Sequence, residues 1–259
     1  MNTLEKIIQS KHKEVALRKE LFPIKKLEKS PLFERATLSV KNALKNTNKG
    51  IIAEFKRQSP SKGILNDKVS IEEVTKGYAE AGALGISVLT DTEYFGGKSE
   101  DLTQARHAVD VPILRKDFTI DEYQIIEAKA IGADFILLIA AALNPKQIKQ
   151  LAEFAHSIHL EVLMEVHDLV ELQTSLNYHL DLVGVNNRNL KNFEVSINTS
   201  KELAEHIPSE FIKISESGIS KVENIKILQE YGYQGFLIGE NFMKTENPAL
   251  ACKEFIAQL

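Results

Sequence analysis

Apolar residues recur along the chain in short, nearly continuous runs, and longer amphipathic stretches separate them. The runs are Ile51–Phe55, Gly85–Leu89, Val111–Leu114, Phe135–Ile139, Glu161–Glu165, Leu182–Val185, Ile212–Ile214 and Gly235–Ile238. Continuous apolar character is typical of a strand that is buried on both faces. Each intervening stretch is long enough for a crossover helix. Eight strands that alternate with helices predict an α/β fold, a parallel (β/α)8 TIM barrel.

Three helix starts are marked by local sequence. Ser70 with Glu73 has the spacing of a capping box, in which a hydroxyl and a carboxylate satisfy the first free N–H groups of a helix. Thr119 with Glu122 repeats that spacing. Pro145 suits the first turn of a third helix, where no N–H donor is needed. Each start follows a predicted strand, as β-then-α order requires.

The first 50 residues precede the first predicted strand and carry two apolar patterns of their own. One pattern, from Leu4 to Leu21, predicts a helix, and a second runs from Leu38 to Leu44. No Gly/Ser-rich linker follows them. We therefore interpret residues 1–259 as a single (β/α)8-barrel domain in which residues 1–50 form an N-terminal helical extension.

Composition and charge narrow the choice of partners. The formal net charge is -4, and no acidic or basic block suggests a nucleic-acid partner. No segment approaches the roughly 20 apolar residues of a membrane span, and the N-terminus lacks the apolar run of a signal peptide. The single cysteine, Cys252, excludes an intrachain disulfide and fits a reducing compartment. We therefore expect a cytoplasmic protein. We also expect no metal site, since the histidines have no accompanying Cys or carboxylate cluster.

Polar side chains stand where the predicted strands end, and the carboxyl ends of barrel strands carry the active site. If Ile52 faces the barrel axis, the period-two alternation of a strand turns the polar ends the same way. These polar residues are Glu54, Lys56, Lys116, Glu165, Asn186, Arg188 and Glu216. Any one of them could simply meet solvent, but together they form a site of coupled acids and bases. Arg57 and Arg115 each stand one position away from these residues and so face the opposite side of the strand. We therefore expect them to pair with acidic groups on the surrounding helices.

Two glycines predict a phosphate site. Gly218 follows the seventh predicted strand and Gly239 follows the eighth. Backbone N–H groups at such turns cradle phosphate, and barrels commonly bind phosphate at these two loops. Each glycine alone could serve a tight turn. The polar loop Ser59–Gly63 could reach the same anion.

The string Ile52–Ser61 resembles the signature of the indole-3-glycerol-phosphate synthase family, an apolar-x-Glu-apolar-Lys-x-x-Ser-Pro-Ser/Thr pattern. Further matching blocks are Ser87–Asp91, Tyr94–Gly97, Pro112–Phe118, Met164–His167, Gly184–Leu190, Ser215–Ile219 and Leu237–Glu240. The resemblance is to the monofunctional form of the family. Gln58 is a departure, because some members carry a lysine there near the phosphate.

This resemblance implies a chemistry. The family converts 1-(o-carboxyphenylamino)-1-deoxyribulose 5-phosphate into indole-3-glycerol phosphate, with loss of CO₂ and water and without a cofactor. Carried over to matching positions, Lys116 is the general acid and Glu165 is the base or proton shuttle of dehydration. Lys56, positioned by Glu54, orients the substrate carboxylate or donates a proton. Which lysine serves which step stays open.

The resemblance also assigns the substrate contacts. Asn186 and Glu216 would hold the ribulose hydroxyls and the lysine network. Arg188 would contact the anthranilate carboxylate, with Ser217 also at the substrate, and Leu89 and Phe95 would line the aromatic pocket. The phosphate would be bound by Ser59, Gly218, Gly239 and Glu240. Some members have Ser in place of Glu240, so we expect only its backbone to bind, because an inward carboxylate would repel the ligand.

Two other interpretations fit a barrel of this kind. An isomerase acting on a phosphoribosylated amine would share Gly218 and Gly239, but it would not need the Glu54–Lys56 pair together with Lys116 and Glu165. A catalytically silent barrel that serves as an interaction partner should have lost at least one polar strand end, and each of them is present in this sequence.

Overall fold

A computed structural model describes residues 2–45, 47, 49–189 and 194–259. Leu190, the last residue of the family-like block Gly184–Leu190, lies outside these ranges. Within them, no helix is both long enough and apolar enough to cross a membrane.

The main sheet is a closed barrel of parallel strands. Its strands are β1 (Gly50–Phe55), β2 (Gly85–Leu89), β3 (Ile113–Lys116), β4 (Phe135–Ile139), β5 (Glu161–Val166), β6 (Leu182–Asn186), β7 (Ile212–Glu216) and β8 (Gly235–Ile238). Each strand pairs with the next along the chain, and β8 returns to β1 in the register Ile52 with Leu237. A small antiparallel hairpin, Gln58–Ser59 with Gly63–Ile64, follows β1. The predicted (β/α)8 barrel is therefore confirmed.

Helices precede the barrel and connect its strands. They are α1 (Thr3–Leu21), α2 (Ile24–Leu27), α3 (Val40–Leu44), α4 (Ile71–Glu80), α5 (Thr92–Phe95), α6 (Ser99–Ala108), α7 (Glu122–Ile131), α8 (Pro145–Ser157), α9 (Leu169–Ser175), α10 (Asn198–Leu203), α11 (Val222–Glu230), α12 (Glu240–Met243) and α13 (Pro248–Ile256), with 3-10 turns at Ala140–Ala142 and Ala204–His206. The predicted N-terminal helices correspond to α1 and α3.

Several strands extend further into polar sequence than their apolar runs predicted. The third predicted strand, Val111–Leu114, is shifted: Pro112 has no N–H for the ladder, so β3 starts at Ile113. It continues through Lys116, which pairs with Leu89 of β2. In the same way β7 runs on to Glu216, because β6 and β8 flank it to that point. Lys116 and Glu216 lie at these strand ends, where their side chains face the open mouth of the barrel.

The side chains that fill the barrel follow the predicted parity. Ile52, Leu114, Leu163, Ile214 and Leu237 belong to one apolar cluster inside the barrel. Strand residues of the opposite parity pack outward against the helices in a separate, larger core. Because Ile52 points inward, the next residues of its parity, Glu54 and Lys56, are directed toward the mouth.

Two of the three predicted helix starts are correct. Ser70 accepts a hydrogen bond from the backbone N–H of Glu73 at the start of α4, and Pro145 occupies the first turn of α8. The start at Thr119 is wrong, because α7 is capped by Asp121. Gln124 accepts from Ile120 N–H at 2.8 Å and donates to the Phe118 carbonyl at 2.9 Å. These bonds hold residues 118–120 in a loop, so the helix begins later.

The N-terminal extension packs against the barrel at both ends. Val40 and Leu44 of α3 join the apolar cluster inside the barrel, at the end opposite the mouth. The hydroxyl of Tyr123 on α7 donates to the carbonyl of Phe22 at 2.9 Å, just after α1. The first residues of α1, including Thr3, Leu4 and Ile7, line the cavity at the mouth.

Candidate active site

The carboxyl ends of the strands open into a cavity of about 1100 Å³. Every site residue predicted from the sequence lines it. These residues are Glu54, Lys56, Ser59, Leu89, Phe95, Lys116, Glu165, Asn186, Arg188, Glu216, Ser217, Gly218, Gly239 and Glu240. The barrel thus brings side chains from distant parts of the chain into one chamber, large enough for a drug-sized molecule.

Lys116 lies at the centre of this chamber between two carboxylates. Its Nζ donates to Glu216 Oε2 at 2.6 Å and to Glu165 Oε2 at 3.0 Å. The three side chains come from the ends of β3, β5 and β7 and converge across the mouth. Only 13% of the lysine side chain is exposed, so the pair of ionic contacts is largely shielded from solvent.

Burial and charge set the protonation of this group. Burial opposes the charged form of Lys116, but the carboxylates of Glu216 and Glu165 outweigh it and raise the lysine pKa. Burial and the neighbouring Glu165 charge raise the pKa of Glu216 to about 7. Lys116 and His167 hold the pKa of Glu165 well below its usual range in spite of its burial. The result is an ammonium proton donor beside one carboxylate that titrates near neutral pH and one that stays ionised.

Glu54 and Lys56 form a second acid–base pair on the other side of the mouth. Lys56 Nζ donates to Glu54 Oε1 at 2.7 Å, and Ser87 Oγ donates to Glu54 Oε2 at 3.1 Å. Although burial opposes ionisation of Glu54, the charges of Lys56 and Lys116 lower its pKa. Gly239 makes room for it, because a Cβ at that position would lie 2.6 Å from Glu54 Oε1.

Asn186 and Arg188 occupy the end of β6. Asn186 Nδ2 donates to Glu165 Oε1 at 3.1 Å, and its own Oδ1 accepts the backbone N–H of Arg188 at 3.0 Å. The Arg188 guanidinium lies 3.6 Å from Glu240 Oε2. Lys62, in the loop after β1, lies 4.0 Å from the other oxygen of the same carboxylate. The Glu240 side chain thus contacts two cations at the rim of the cavity.

The turn after β7 exposes backbone to the cavity. Ser217 and Gly218 both have positive φ values, 67° and 74°. Positive φ is unusual for a serine, and successive backbone N–H groups in such turns form concavities that bind anions. At Gly218 a Cβ would lie 2.3 Å from Val195, so only glycine fits there. Gly239 precedes α12 at the end of β8.

An apolar wall completes the chamber. Leu89 ends β2 and is buried, and Phe95 lies in α5. The Phe95 ring packs against Phe118 with a centroid separation of 6.1 Å. Leu89, Phe95 and Phe118 thus give the cavity an apolar part beside its charged groups.

The two arginines of opposite parity pair outward, as predicted. Arg57 forms a bidentate ion pair with Asp101 of α6, at 2.5 and 2.9 Å. Arg115 Nη2 lies 2.6 Å from Glu127 of α7. Both therefore pair with the surrounding helices, and neither lines the cavity.

The sequence alone did not identify three further groups in or beside the site. His167 and Glu171 line the cavity, and His167 lies 3.3 Å from Glu165. Lys11 of α1 is 1% exposed and lies 2.9 Å from both Asp91 and Asp117. His167 could have been found from the sequence, because it stands two residues after Glu165 and is therefore directed to the same side of the chain. Lys11 gave none, because a lysine in an amphipathic helix is usually solvated.

Comparisons with known proteins agree with this geometry. The family described as indole-3-glycerol phosphate synthase matches residues 4–255. A protein of that name from Bacteroides thetaiotaomicron is 47% identical, over 98% of this chain and 97% of its own length. One from Aliarcobacter butzleri is 44% identical, over 93% and 94%.

A solved structure shows the fold alone. Thiamine phosphate pyrophosphorylase from Pyrococcus furiosus superposes with a TM-score of 0.60 at 16% identity, covering 85% of this chain and 98% of that one. The family match spans the extension, the barrel and the whole mouth described above. The chain therefore belongs to the indole-3-glycerol phosphate synthase family, a family of carboxy-lyases in tryptophan biosynthesis.

Proposed function

We propose that the barrel mouth closes the indole ring of 1-(o-carboxyphenylamino)-1-deoxyribulose 5-phosphate, with Lys116 as the general acid. The observation that carries this proposal is the Lys116 ammonium, held at 2.6 and 3.0 Å from two carboxylates in the cavity. Ring closure needs a proton at the ketone oxygen so that the aromatic carbon can attack. A shielded ammonium with raised pKa remains protonated until a strong enough base is placed against it.

The proton count of the reaction defines the remaining roles. The ketone oxygen receives one proton on ring closure and a second when it leaves as water. CO₂ departs and leaves its bonding electrons to the ring, and one proton is removed from the methylene carbon beside the nitrogen. Glu165 is the base for that last step, because its low pKa keeps it ionised and its Oε2 lies 3.0 Å from Lys116.

Lys56 supplies the second cation. Its ammonium is fixed by Glu54 at 2.7 Å and is 17% exposed, so it can reach a ligand in the cavity. There it either orients the substrate carboxylate or delivers the second proton to the leaving oxygen. Glu54 is itself held by Ser87, which gives the pair a defined position before substrate arrives.

The substrate's aromatic end fits the apolar wall. Leu89 and Phe95 would enclose the anthranilate ring, and Arg188 would bind its carboxylate through a charge-assisted bond. Ser217 would contact the substrate beside them. Asn186 and Glu216 would hold the ribulose hydroxyls, while they also position Glu165 and Lys116.

The phosphate would lie at the rim formed by the loops after β1, β7 and β8. The positive φ values at the Ser217–Gly218 turn support backbone binding there, with Gly239 and Glu240 contributing at the start of α12. Ser59 approaches from the hairpin after β1. We infer that the backbone of Glu240 binds, because its carboxylate contacts Arg188 and Lys62.

The proposed partner is therefore one phosphorylated small molecule, with no nucleic acid, membrane or cofactor. We propose that the protein works in the cytoplasm, where its single, buried cysteine would stay reduced.

A fluorescence time course with purified protein and this substrate tests the function. The chain has no Trp and six Tyr, so indole emission would stand out. We expect the signal to grow with the parent protein. Removing a positioned acid costs roughly 10²–10⁴-fold in rate, so Lys116→Ala should show almost none. If the folded parent gives no signal, the proposed function is wrong.

A further inference from the structure

The proposed reaction consumes one proton per turnover. Two protons go to the former ketone oxygen, which leaves as water, and one returns from the methylene carbon. CO₂ leaves from an ionised carboxylate, so the remaining proton must come from solvent. A substrate bound against Lys116 would cover its ammonium on the side that faces the open cavity. The donor therefore needs a second route to solvent.

The described residues form a path from Lys116 along the wall of the cavity to Glu171. Lys116 Nζ lies 3.0 Å from Glu165 Oε2. The other oxygen, Glu165 Oε1, lies 3.3 Å from His167 Nε2. His167 Nδ1 lies 3.1 Å from Glu171 Oε2. Glu171, at the outer end of this path, has the most exposed side chain, 21% against 13% for Lys116, 7% for Glu165 and 9% for His167.

We propose that His167 and Glu171 form a proton relay that resupplies the Lys116–Glu165 pair from solvent in each turnover. This inference rests on the proposed function, and it assigns work to two residues that the ring-closure steps do not use. A histidine suits the task because its ring can hold a second proton, release it from one nitrogen and then take up another.

The charges in the path give the relay its direction. In the resting site, Lys116 keeps Glu165 ionised, and the two glutamates raise the pKa of His167 to about 10 against its burial. In the resting site His167 is therefore protonated and can donate a proton. When Lys116 has given its proton to the substrate, Glu165 loses that stabilising charge and becomes more basic. The proton of Nε2–H then moves to Glu165 and on to Lys116, which leaves a neutral imidazole that keeps its Nδ1–H toward Glu171. Rotation of the ring presents the bare Nε2 to a proton that Glu171 takes up from solvent, and this proton restores the imidazolium.

The local fold holds the relay in place. Asp168 caps α9 by accepting the backbone N–H of Glu171 at 2.8 Å. Glu171 in turn accepts the backbone N–H of His167 at 2.7 Å, so its carboxylate lies against the imidazole. His167 Nε2 is buried and has no well-aligned hydrogen-bond acceptor among the described residues. A small ring rotation toward Glu165, 3.3 Å away, would complete the path.

Single-turnover and steady-state rates of His167→Gln and Glu171→Gln test the relay. Resting enzyme already holds the Lys116 proton, so we expect the ring-closure rate with enzyme in excess to stay near that of the parent. With substrate in excess and little buffer, both variants should slow by about tenfold or more, in line with the loss of a proton-transfer group. Added imidazole, a small proton carrier, should restore much of the lost rate.

The matched control is His156→Gln. His156 contacts Asp181 at 2.8 Å, beside the start of β6 and far from the mouth, so its loss should change neither rate. Equal slowing of single-turnover and steady-state rates, with no response to imidazole, would show a positioning role and overturn the relay. Parent-like steady-state rates in both variants would overturn it too. A parent protein that gives no indole fluorescence with the substrate would instead contradict the proposed function.

Discussion

Lys11, near the start of the chain, forms an ion pair at 2.9 Å with Asp117, the residue that directly follows Lys116. The same ammonium lies 2.9 Å from Asp91 and 2.7 Å from Glu14, and its side chain is 1% exposed. The acidic partners outweigh burial and raise the lysine pKa. In return, the charge of Lys11 lowers the pKa of Asp117 to about 2 although that carboxyl is buried. The N-terminal extension thus neutralises a buried charge directly beside the proposed acid.

Replacing Lys11 should be costly for stability. Lys11→Met leaves Asp91 and Asp117 buried without their shared cation, and breaking a buried ion pair from one side costs about 3–5 kcal/mol. We expect the free energy of unfolding, measured by urea titration, to fall by that amount. Lys19→Met is the control, because the Lys19–Asp121 pair is exposed and should contribute no more than about 1 kcal/mol. Equal losses in the two variants would contradict a special role for Lys11.

Glu54→Gln should separate activity from folding. An amide keeps the shape of the side chain and its contact with Ser87, but it lacks the negative charge that strengthens the bond to Lys56. Such bonds contribute about 1.5–3 kcal/mol, so we expect kcat/KM to fall about 10–100-fold. The melting temperature should stay near that of the parent, since Lys56 can turn toward water in the cavity. Glu80→Gln, at an exposed helix position, controls for the charge change; a parallel loss of activity and melting temperature would refute the prediction.

Glu240→Gln should strengthen phosphate binding. The Glu240 carboxylate lies 3.6 Å from Arg188 and 4.0 Å from Lys62, at the rim where we place the phosphate. Its charge repels an anion there and also occupies both cations. One such charge at about 4 Å is worth about 1 kcal/mol in water, so the inhibition constant of inorganic phosphate should fall several-fold. Added salt should reduce the difference, and Glu230→Gln on α11 should show no gain. Weaker phosphate inhibition in Glu240→Gln would place its carboxylate among the binding groups.

The contribution of His167 to stability should depend on pH in a defined window. Its pKa is about 10 in the folded protein and near 6.5 when unfolded. Because the folded value is raised, the protonated imidazole stabilises the fold fully below pH 6.5, and this contribution is lost as the pH rises through 10. At about 1.4 kcal/mol per pKa unit, the effect amounts to a few kcal/mol.

Urea titrations of the parent and His167→Gln between pH 6 and pH 10 measure this effect. The difference in unfolding free energy should shrink steadily across the range. His156→Gln serves as the comparison for a histidine that contacts Asp181 away from the mouth. A constant difference between parent and His167→Gln would mean that Glu165 and Glu171 do not hold the imidazole in its charged form.

Much of the barrel follows from short-range patterns. The apolar runs predicted each strand of the barrel, and parity correctly directed Glu54 and Lys56 inward and Arg57 outward. The pattern failed at strand ends. Apolar character could not show that β7 continues to Glu216, because strand length depends on the neighbouring strands that supply hydrogen bonds.

The sequence by itself determined the alternation of strands and helices and the polar residues at the strand ends. Backbone sterics and the period of each element act between near neighbours, so these features are readable from local order. Only the tertiary structure placed Lys116 against Glu216, 100 residues away, and set Lys11 beside Asp117. Those contacts depend on the closure of the barrel and on where α1 packs, which no local pattern encodes.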